Sequence, residues 1–275
     1  SFTRICEHIT VANSKALEIC GITKNTPQPV GGHFDIDENG EPTGIFRESA
    51  RYMIYDKIPE ANKNEIKAML TDVSKLASSL GITSVQTDDF ETFASKDFKV
   101  ILQAYKELIQ EKKLTVRVYE QCLLPEIDRL KLFLSMGYKT GFGNEYFKIG
   151  PLKLLTDGSL GARTAYLNSP YNDDATTRGI NVFTQDELDE LILTAHKGGM
   201  QILTHAIGDG AIHMCFEGFR KAQGEYLKND PRFGIVHLQI TDKSLLNKFK
   251  EYNVIAYAEP VCVNNDLHME EDRVG

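Results

Sequence analysis

The stretch that decides the fold runs from Glu187 to Leu238 and reads ELDELILTAHKGGMQILTHAIGDGAIHMCFEGFRKAQGEYLKNDPRFGIVHL. Glu187 to Lys197 reads as a helix, Gln201 to His205 as a short strand, Gly210 to Tyr226 as a second helix and Gly234 to Leu238 as a second strand. A period near 3.6 thus alternates with short apolar runs, the pattern of strands joined by helical crossovers.

The alternation extends in both directions. Upstream, Asn62 to Leu80 has apolar residues at Ile66, Met69, Leu70, Val73, Leu76, Ala77 and Leu80, with Gly81 as its stop and Ile82 to Val85 as a strand. Helices at Phe98 to Lys112 and Ile127 to Met136 alternate with strands at Leu114 to Cys122 and within Tyr146 to Thr156. Downstream come a helix from Lys243 to Tyr252 and a strand from Val254 to Ala258. Strands separated by helix-sized segments specify βαβ units and a parallel sheet. An open doubly wound sheet and most of an eight-stranded barrel both satisfy that pattern, but no G-x-G-x-x-G follows the first strand. The expected fold is therefore α/β, an incomplete (β/α)8 TIM-type barrel of about six strand–helix units over residues 61–275.

The first 60 residues differ. Ser14 to Cys20 forms a short helix between Asn13 or Ser14 as cap and Gly21 as stop; Pro27, Pro29, Gly31 and Gly32 then break the chain. His33 to Asp37 and Thr43 to Phe46 form a hairpin about Glu38-Asn39-Gly40. Residues 1–60 are expected to be a small inserted subdomain of helix plus hairpin.

Bulk properties narrow the partners. A net charge of -8 and 25% charged residues argue against a nucleic-acid or anionic-membrane surface, which needs clustered Lys and Arg. No run approaches the ~18 apolar residues of a membrane-spanning helix. The five scattered cysteines form no C-x-x-C and fit a reducing compartment, so the expected location is cytoplasmic. The expected partner is a small-molecule substrate; homo-oligomer formation is left open.

In a (β/α) barrel the reactive side chains gather at the carboxyl ends of the strands. Lys153 lies in the strand within Tyr146 to Thr156, His205 ends the next strand and His237 the one after, while Glu259 ends the last. Asp88 and Asp89 follow the first of these strands, and Glu120 and Gln121 lie late in the second. Two imidazoles at consecutive strand ends can share one metal ion, since zinc accepts neutral imidazole and carboxylate and a catalytic site keeps one position for water. A single strand-end histidine is more often a packed core group, so it is the pair that carries the reading. Lys153 admits three roles: a Schiff base, a carbamate that bridges metal, or an ion pair with Asp157 reaching solvent. The loop Thr156 to Arg163 has glycines that permit close backbone approach to a ligand, or is an ordinary turn. Asp209 reads as the cap of the following helix. His8, His33, His196, His213 and His268 have no comparable setting.

Several phrases, in one order along the chain, resemble the YtcJ-like (amidohydrolase 3) branch of the amidohydrolase superfamily. They are Cys6-Glu7-His8-Ile9 with Ala12-Asn13-Ser14-Lys15-Ala16-Leu17, Gly40 through Glu48, and Gly81 through Val85. Then come Leu152-Lys153-Leu154 with Asp157 through Gly161, Thr204 through Asp209, and His237 with Gln239. The resemblance implies metal-assisted hydrolysis of a C–N bond, in an amide or cyclic amide, with a divalent ion such as zinc. It places Lys153, His205 and His237 on the family's fourth, fifth and sixth strands as metal ligands, and it favours carbamylation of Lys153 over a Schiff base. The family's first-strand His-x-His occurs nowhere in this sequence, and nothing after Glu259 reads as an eighth strand bearing the general-base Asp; Asp266 and Asp272 fall in a polar tail. Val236 stands where relatives often carry Glu, Glu7 where Gly is usual, and Gln86-Thr87-Asp88 where His-Asp is usual. The expectation is an excerpt of a longer enzyme, inactive alone, with the general base outside the chain. The competing expectations are a non-catalytic barrel used for binding or regulation, and a Schiff-base lyase acting through Lys153.

Overall fold

A computed structural model describes residues 1–4, 8–93 and 95–275, with the backbone alone at 263–265. Cys6 and Glu7 lie outside the described residues. The chain divides into two compact units, one of Ser1–Ile58, Leu155–Ile192 and Thr204–Gly275, the other of Pro59–Leu154 and Leu193–Leu203.

The first unit begins with short strands β1 (Phe2–Thr3), β2 (Ile9–Val11), β3 (Gly32–Ile36) and β4 (Pro42–Glu48), in an antiparallel sheet ordered β1-β2-β4-β3. Helix α1 (Ser14–Cys20) starts where the Asn13 side chain accepts the Ala16 N–H at 2.9 Å, and it ends on Gly21 at φ 67. The hairpin turns on Gly40 at φ 79, with one Asp37 carboxylate oxygen accepting the N–H groups of Asn39 and Glu41 at 2.9 and 2.8 Å. Phe34 and Phe46, their rings 5.9 Å apart, pack with Ala12, Ile22, Ala50 and Ile54 as this sheet's core. Ile54 belongs to α2 (Tyr52–Tyr55), a turn of helix that the polar sequence around it does not announce.

The remaining elements alternate. They are α3 (Lys63–Ser79), β5 (Ser84–Thr87), α4 (Phe98–Gln110), β6 (Arg117–Leu123), α5 (Ile127–Ser135), β7 (Phe147–Leu155) and α6 (Gln185–Lys197). After these come β8 (Ile202–Ala206), α7 (Asp209–Glu225), β9 (Gly234–His237), α8 (Lys243–Glu251), β10 (Ile255–Ala258) and α9 (Val261–Val274). Six strands form one sheet in the order β10-β9-β8-β7-β6-β5, and the pairs β5·β6, β6·β7 and β9·β10 are parallel. The α/β alternation read from the periodicity is therefore present. Sequential neighbours in a parallel sheet carry the strand ends, in chain order, to one edge of the layer.

Two details differ from expectation. The segment after Glu259 is helix α9 rather than a polar tail: Pro260 opens it, as a residue without N–H can at a helix start, and Val274 packs against the cluster of Leu160, Ala165, Leu167, Tyr171 and Ile207. Its acidic run hid a sparse apolar face. Helix α7 is capped by Gly208 and not by Asp209, because a Cβ at residue 208 would overlap the Tyr166 carbonyl. Asp209 instead is the first helical residue and binds the Asn168 backbone N–H at 2.9 Å and its side-chain amide at 2.7 Å.

In the second unit the core is aromatic. Phe90, Phe98 and Phe133 surround one another at 5.2 to 5.8 Å between ring centroids, and Tyr105 lies on Phe147 at 4.7 Å. Helix α3 begins in a capping box between Asn62 and Glu65 and is tied to α4 by charge. Glu107 receives Lys63 at 2.6 Å, Gln103 at 2.9 Å and Lys67 at 3.0 Å; these bonds, that of Lys63 first, hold its carboxyl down at about 2. A depressed folded pKa means that the bridge stabilises above the ordinary value of 4.5 and is lost as pH falls through about 2. Glu107→Gln should lower the thermal midpoint at pH 7 by about 1–3 °C. Melting curves from pH 7 to 2 should show that difference closing below pH 4.5; a constant difference would contradict the assignment.

Candidate metal centre

Strand β8 is buried throughout, and it carries His205 at 2% exposure. Strand β9 ends on His237, after which the chain turns: His237 and Leu238 take φ 75 and 54. Two consecutive non-glycine residues in the left-handed region cost on the order of 1–3 kcal/mol each, strain of a kind that collects at functional sites. The turn holds the His237 ring against that of His205, edge to face, with centroids 4.5 Å apart. The structure thus brings together two of the three ligands expected from sequence.

In each ring one nitrogen donates a hydrogen bond to an oxygen. His205 Nε2 lies 3.0 Å from the Gly158 carbonyl, which can only accept, so Nε2 carries a hydrogen. His237 Nδ1 donates to Glu259 Oε2 at 2.9 Å. Metal-binding histidines show this pattern, in which the second N–H is held by a carbonyl or carboxylate while the other nitrogen is directed to the ion. Glu259, noted in the sequence as the end of the last strand, acts here through His237.

Below the pair sits Asp157, fully buried. Its oxygens accept the backbone N–H groups of Gly208 at 2.8 Å, Tyr166 at 2.9 Å and Ile207 at 3.0 Å, and His205 Nε2 lies 3.3 Å from Oδ1. Burial pushes this carboxyl up to about 7, against the pull of the three N–H bonds. Asp157 therefore locks the loop after β7 to the start of α7. The loop itself is a closed turn, with Gly158 N–H on Thr164 O at 3.1 Å. Its first glycine is obligatory, because a Cβ there would overlap the Thr164 hydroxyl and the Glu48 carboxylate. Ser159, 9% exposed, has a hydroxyl with no hydrogen-bond partner among the described residues.

A third histidine joins this cluster, contrary to the expectation that His8 has no special setting. Its ring centroid is 5.1 Å from that of His205, and its Nδ1 bonds Glu48 Oε2 at 2.8 Å. The other Glu48 oxygen accepts the Thr164 hydroxyl at 2.7 Å. Periodicity could not have revealed the pair, since β2 has three residues and Glu48 lies forty positions on. The one available signal was that both residues fall in phrases shared with the resembled family.

The other sequence candidates belong to the second unit. Lys153, on β7 opposite Leu123 of β6, is 7% exposed. Glu120 is fully buried; its carboxyl is pushed well up by burial and then by the neighbouring charge of Asp89, whose N–H it accepts at 2.9 Å. Asp89 is itself held by Thr87 at 2.6 Å and by Tyr105. Glu120, Asp89 and Tyr105 are thus joined by hydrogen bonds, and the second Glu120 oxygen has no partner among the described residues.

The implied divalent metal can be tested against these residues. Among the described residues no three His, Cys, Asp or Glu side chains are grouped to hold an ion. The two imidazoles nonetheless have the right donor chemistry, each with one N–H held by a carbonyl or carboxylate. They fit as part of a ligand set. Among the described residues the four cysteines Cys20, Cys122, Cys215 and Cys262 are free, and no helix is long and apolar enough to cross a membrane.

The family model described as the amidohydrolase family matches residues 2–275. A Bacillus subtilis protein bearing the name amidohydrolase YtcJ is 31% identical over 99% of this chain and 49% of its own length. The protein LONG AFTER FAR-RED 3 of Arabidopsis thaliana is 28% identical over 99% of this chain and 47% of its own. Among solved structures, a metal-dependent hydrolase from Pyrococcus horikoshii superposes with a TM-score of 0.74 at 29% identity, covering 99% of this chain and 51% of that one. A metal-dependent hydrolase from Pyrococcus furiosus gives 0.68, also at 29%, covering 98% and 52%. The chain spans about half the length of the curated relatives it matches.

Proposed function

We propose, from the premise that this chain belongs to the amidohydrolase family, that it forms part of a metal-dependent hydrolase acting on C–N bonds of amides or cyclic amides. The observation that carries the reading is the His205–His237 pair, each ring with its second N–H committed to a carbonyl or carboxylate. Residues 61–275 are read as six units of an eight-stranded barrel and residues 1–60 as a subdomain inserted in it.

His205 and His237 would hold the ion, with Lys153, carbamylated, as the further ligand that the family resemblance assigns. Zinc fits best, because imidazole nitrogens with an oxygen donor suit it. Once bound, such an ion supplies an activated water and polarises the scissile carbonyl. The chain's own residues do the rest. Gly158 and Glu259 orient the two imidazoles, Asp157 fixes the loop that carries Gly158, and Ser159 offers a hydroxyl donor. The general base, an Asp in the family, is expected outside these 275 residues, so the isolated chain is expected to be inactive. The substrate is a small molecule and the setting cytoplasmic.

The test is hydrolysis of a panel of linear and cyclic amides, before and after a chelator. The isolated chain should show no turnover, and the longer polypeptide containing it should show turnover that chelator abolishes and zinc restores. Chelator-insensitive turnover would contradict the metal reading. Turnover by the isolated chain would contradict the placement of the base.

A further inference from the structure

We propose that the second unit carries a binding site for an apolar primary amine, with the hydrocarbon body between α3 and the sheet and the ammonium group on the carboxyls of Asp89 and Glu120. All the residues concerned belong to that unit, so the site is independent of the metal reading.

A cavity of about 390 Å3 opens among α3, β5, β6 and α4. Ile66, Leu70 and Val73 of α3, Ile101 of α4, and Val116 and Val118 supply apolar walls. Thr87, Asp89 and Tyr105 also line it, and the Thr87 and Tyr105 hydroxyls both donate to the Asp89 carboxylate, so the polar atoms form one patch. Apolar walls with a few grouped polar atoms are the usual form of a small-molecule site of this size.

Glu120 extends the patch. Side chains two apart on a strand share a face, so Glu120 lies on the face of β6 from which Val118 lines the cavity. Its Oε1 accepts the Asp89 N–H at 2.9 Å, and its buried Oε2 has no hydrogen-bond partner among the described residues. Neither Asp89 nor Glu120 has an ion pair among the described residues. Burial, and then the charge of Asp89, push the Glu120 carboxyl well up, as expected of adjacent acids without a counter-ion.

An ammonium group supplies what this end of the cavity lacks, a positive charge and N–H donors for Oε2. Hydrogen bonds of that charge-assisted kind are roughly twice as strong as neutral ones. The apolar walls require a hydrocarbon body as well, so a bare inorganic cation meets only part of the site. A neutral alcohol of the same length meets only the walls and one acceptor.

Methyl spectra of the whole 275-residue chain, labelled with carbon-13 at methionine, test the site, because Met69 lines the cavity and Met69→Leu identifies its signal. Hexylammonium should shift the Met69 methyl, and hexanol should bind at least about tenfold more weakly. Trimethylhexylammonium, which keeps the charge but has no N–H, should also bind at least about tenfold more weakly. Glu120→Gln and Asp89→Asn should each bring hexylammonium affinity towards that of hexanol. Equal affinity for the three ligands, no shift with hexylammonium, or an undiminished preference in both variants would overturn the proposal. A Met69 signal that moves with protein concentration alone would assign the face to a second copy of the chain, and it too would overturn the proposal. The three-ligand comparison needs only the parent chain, so it decides the matter even where neither variant folds.

Discussion

Replacing Asp157 by alanine should destabilise the chain by about 3–5 kcal/mol, the range expected when a buried carboxylate leaves several donors unpaired. The reason is a count of partners. Three backbone N–H groups, those of Tyr166, Ile207 and Gly208, converge on this one side chain. The bonds from Ile207 and Gly208 are buried and that from Tyr166 is partly buried, and each unpaired donor costs on the order of 1–3 kcal/mol. Relief from burying a carboxyl whose pKa has risen to about 7 offsets part of that loss. Asp157→Asn should recover part of the stability, because its single carbonyl oxygen can still accept while its amide opposes one of the N–H groups. Urea denaturation of the three proteins measures the order. Equal stability of Asp157→Ala and the parent would show that the loop after β7 is held by something else.

The second large effect concerns metal affinity. His205→Ala and His237→Ala should each weaken zinc binding by about 100-fold or more. Glu259→Gln should weaken it by about 10–100-fold, the usual consequence of losing a carboxylate that orients a ligating imidazole. Glu259 touches His237 Nδ1 at 2.9 Å, so its effect should vanish in the His237→Ala background. Competition against a chromophoric chelator gives the affinities. A Glu259→Gln effect that persists without His237 would mean that Glu259 binds the ion by itself.

Much of the fold was legible because it depends on local pattern. The helix from Asn62 carries its own cap and apolar stripe, and the Asn39-Gly40 turn specifies its hairpin by backbone chemistry alone. His205 and His237 were found by the rule that strand ends share one edge, and their rings do meet. What was missed depends on tertiary context. Gly208 caps α7 because the Tyr166 carbonyl leaves no room for a side chain, a fact that no spacing encodes. Helix α9 is polar over most of its length and is fixed by a few contacts such as that of Val274. His8 and Glu48 meet only because β2 and β4 pair, and their importance is set by a ring that arrives from residue 205.

Zinc K-edge absorption on the zinc-loaded chain tests whether His205 and His237 bind one metal ion. At least two imidazole nitrogens should lie at about 2.0–2.1 Å from zinc, and they should be lost in the His205→Ala, His237→Ala double variant. Zinc surrounded by oxygen alone, or an imidazole signature unchanged in the double variant, would contradict it.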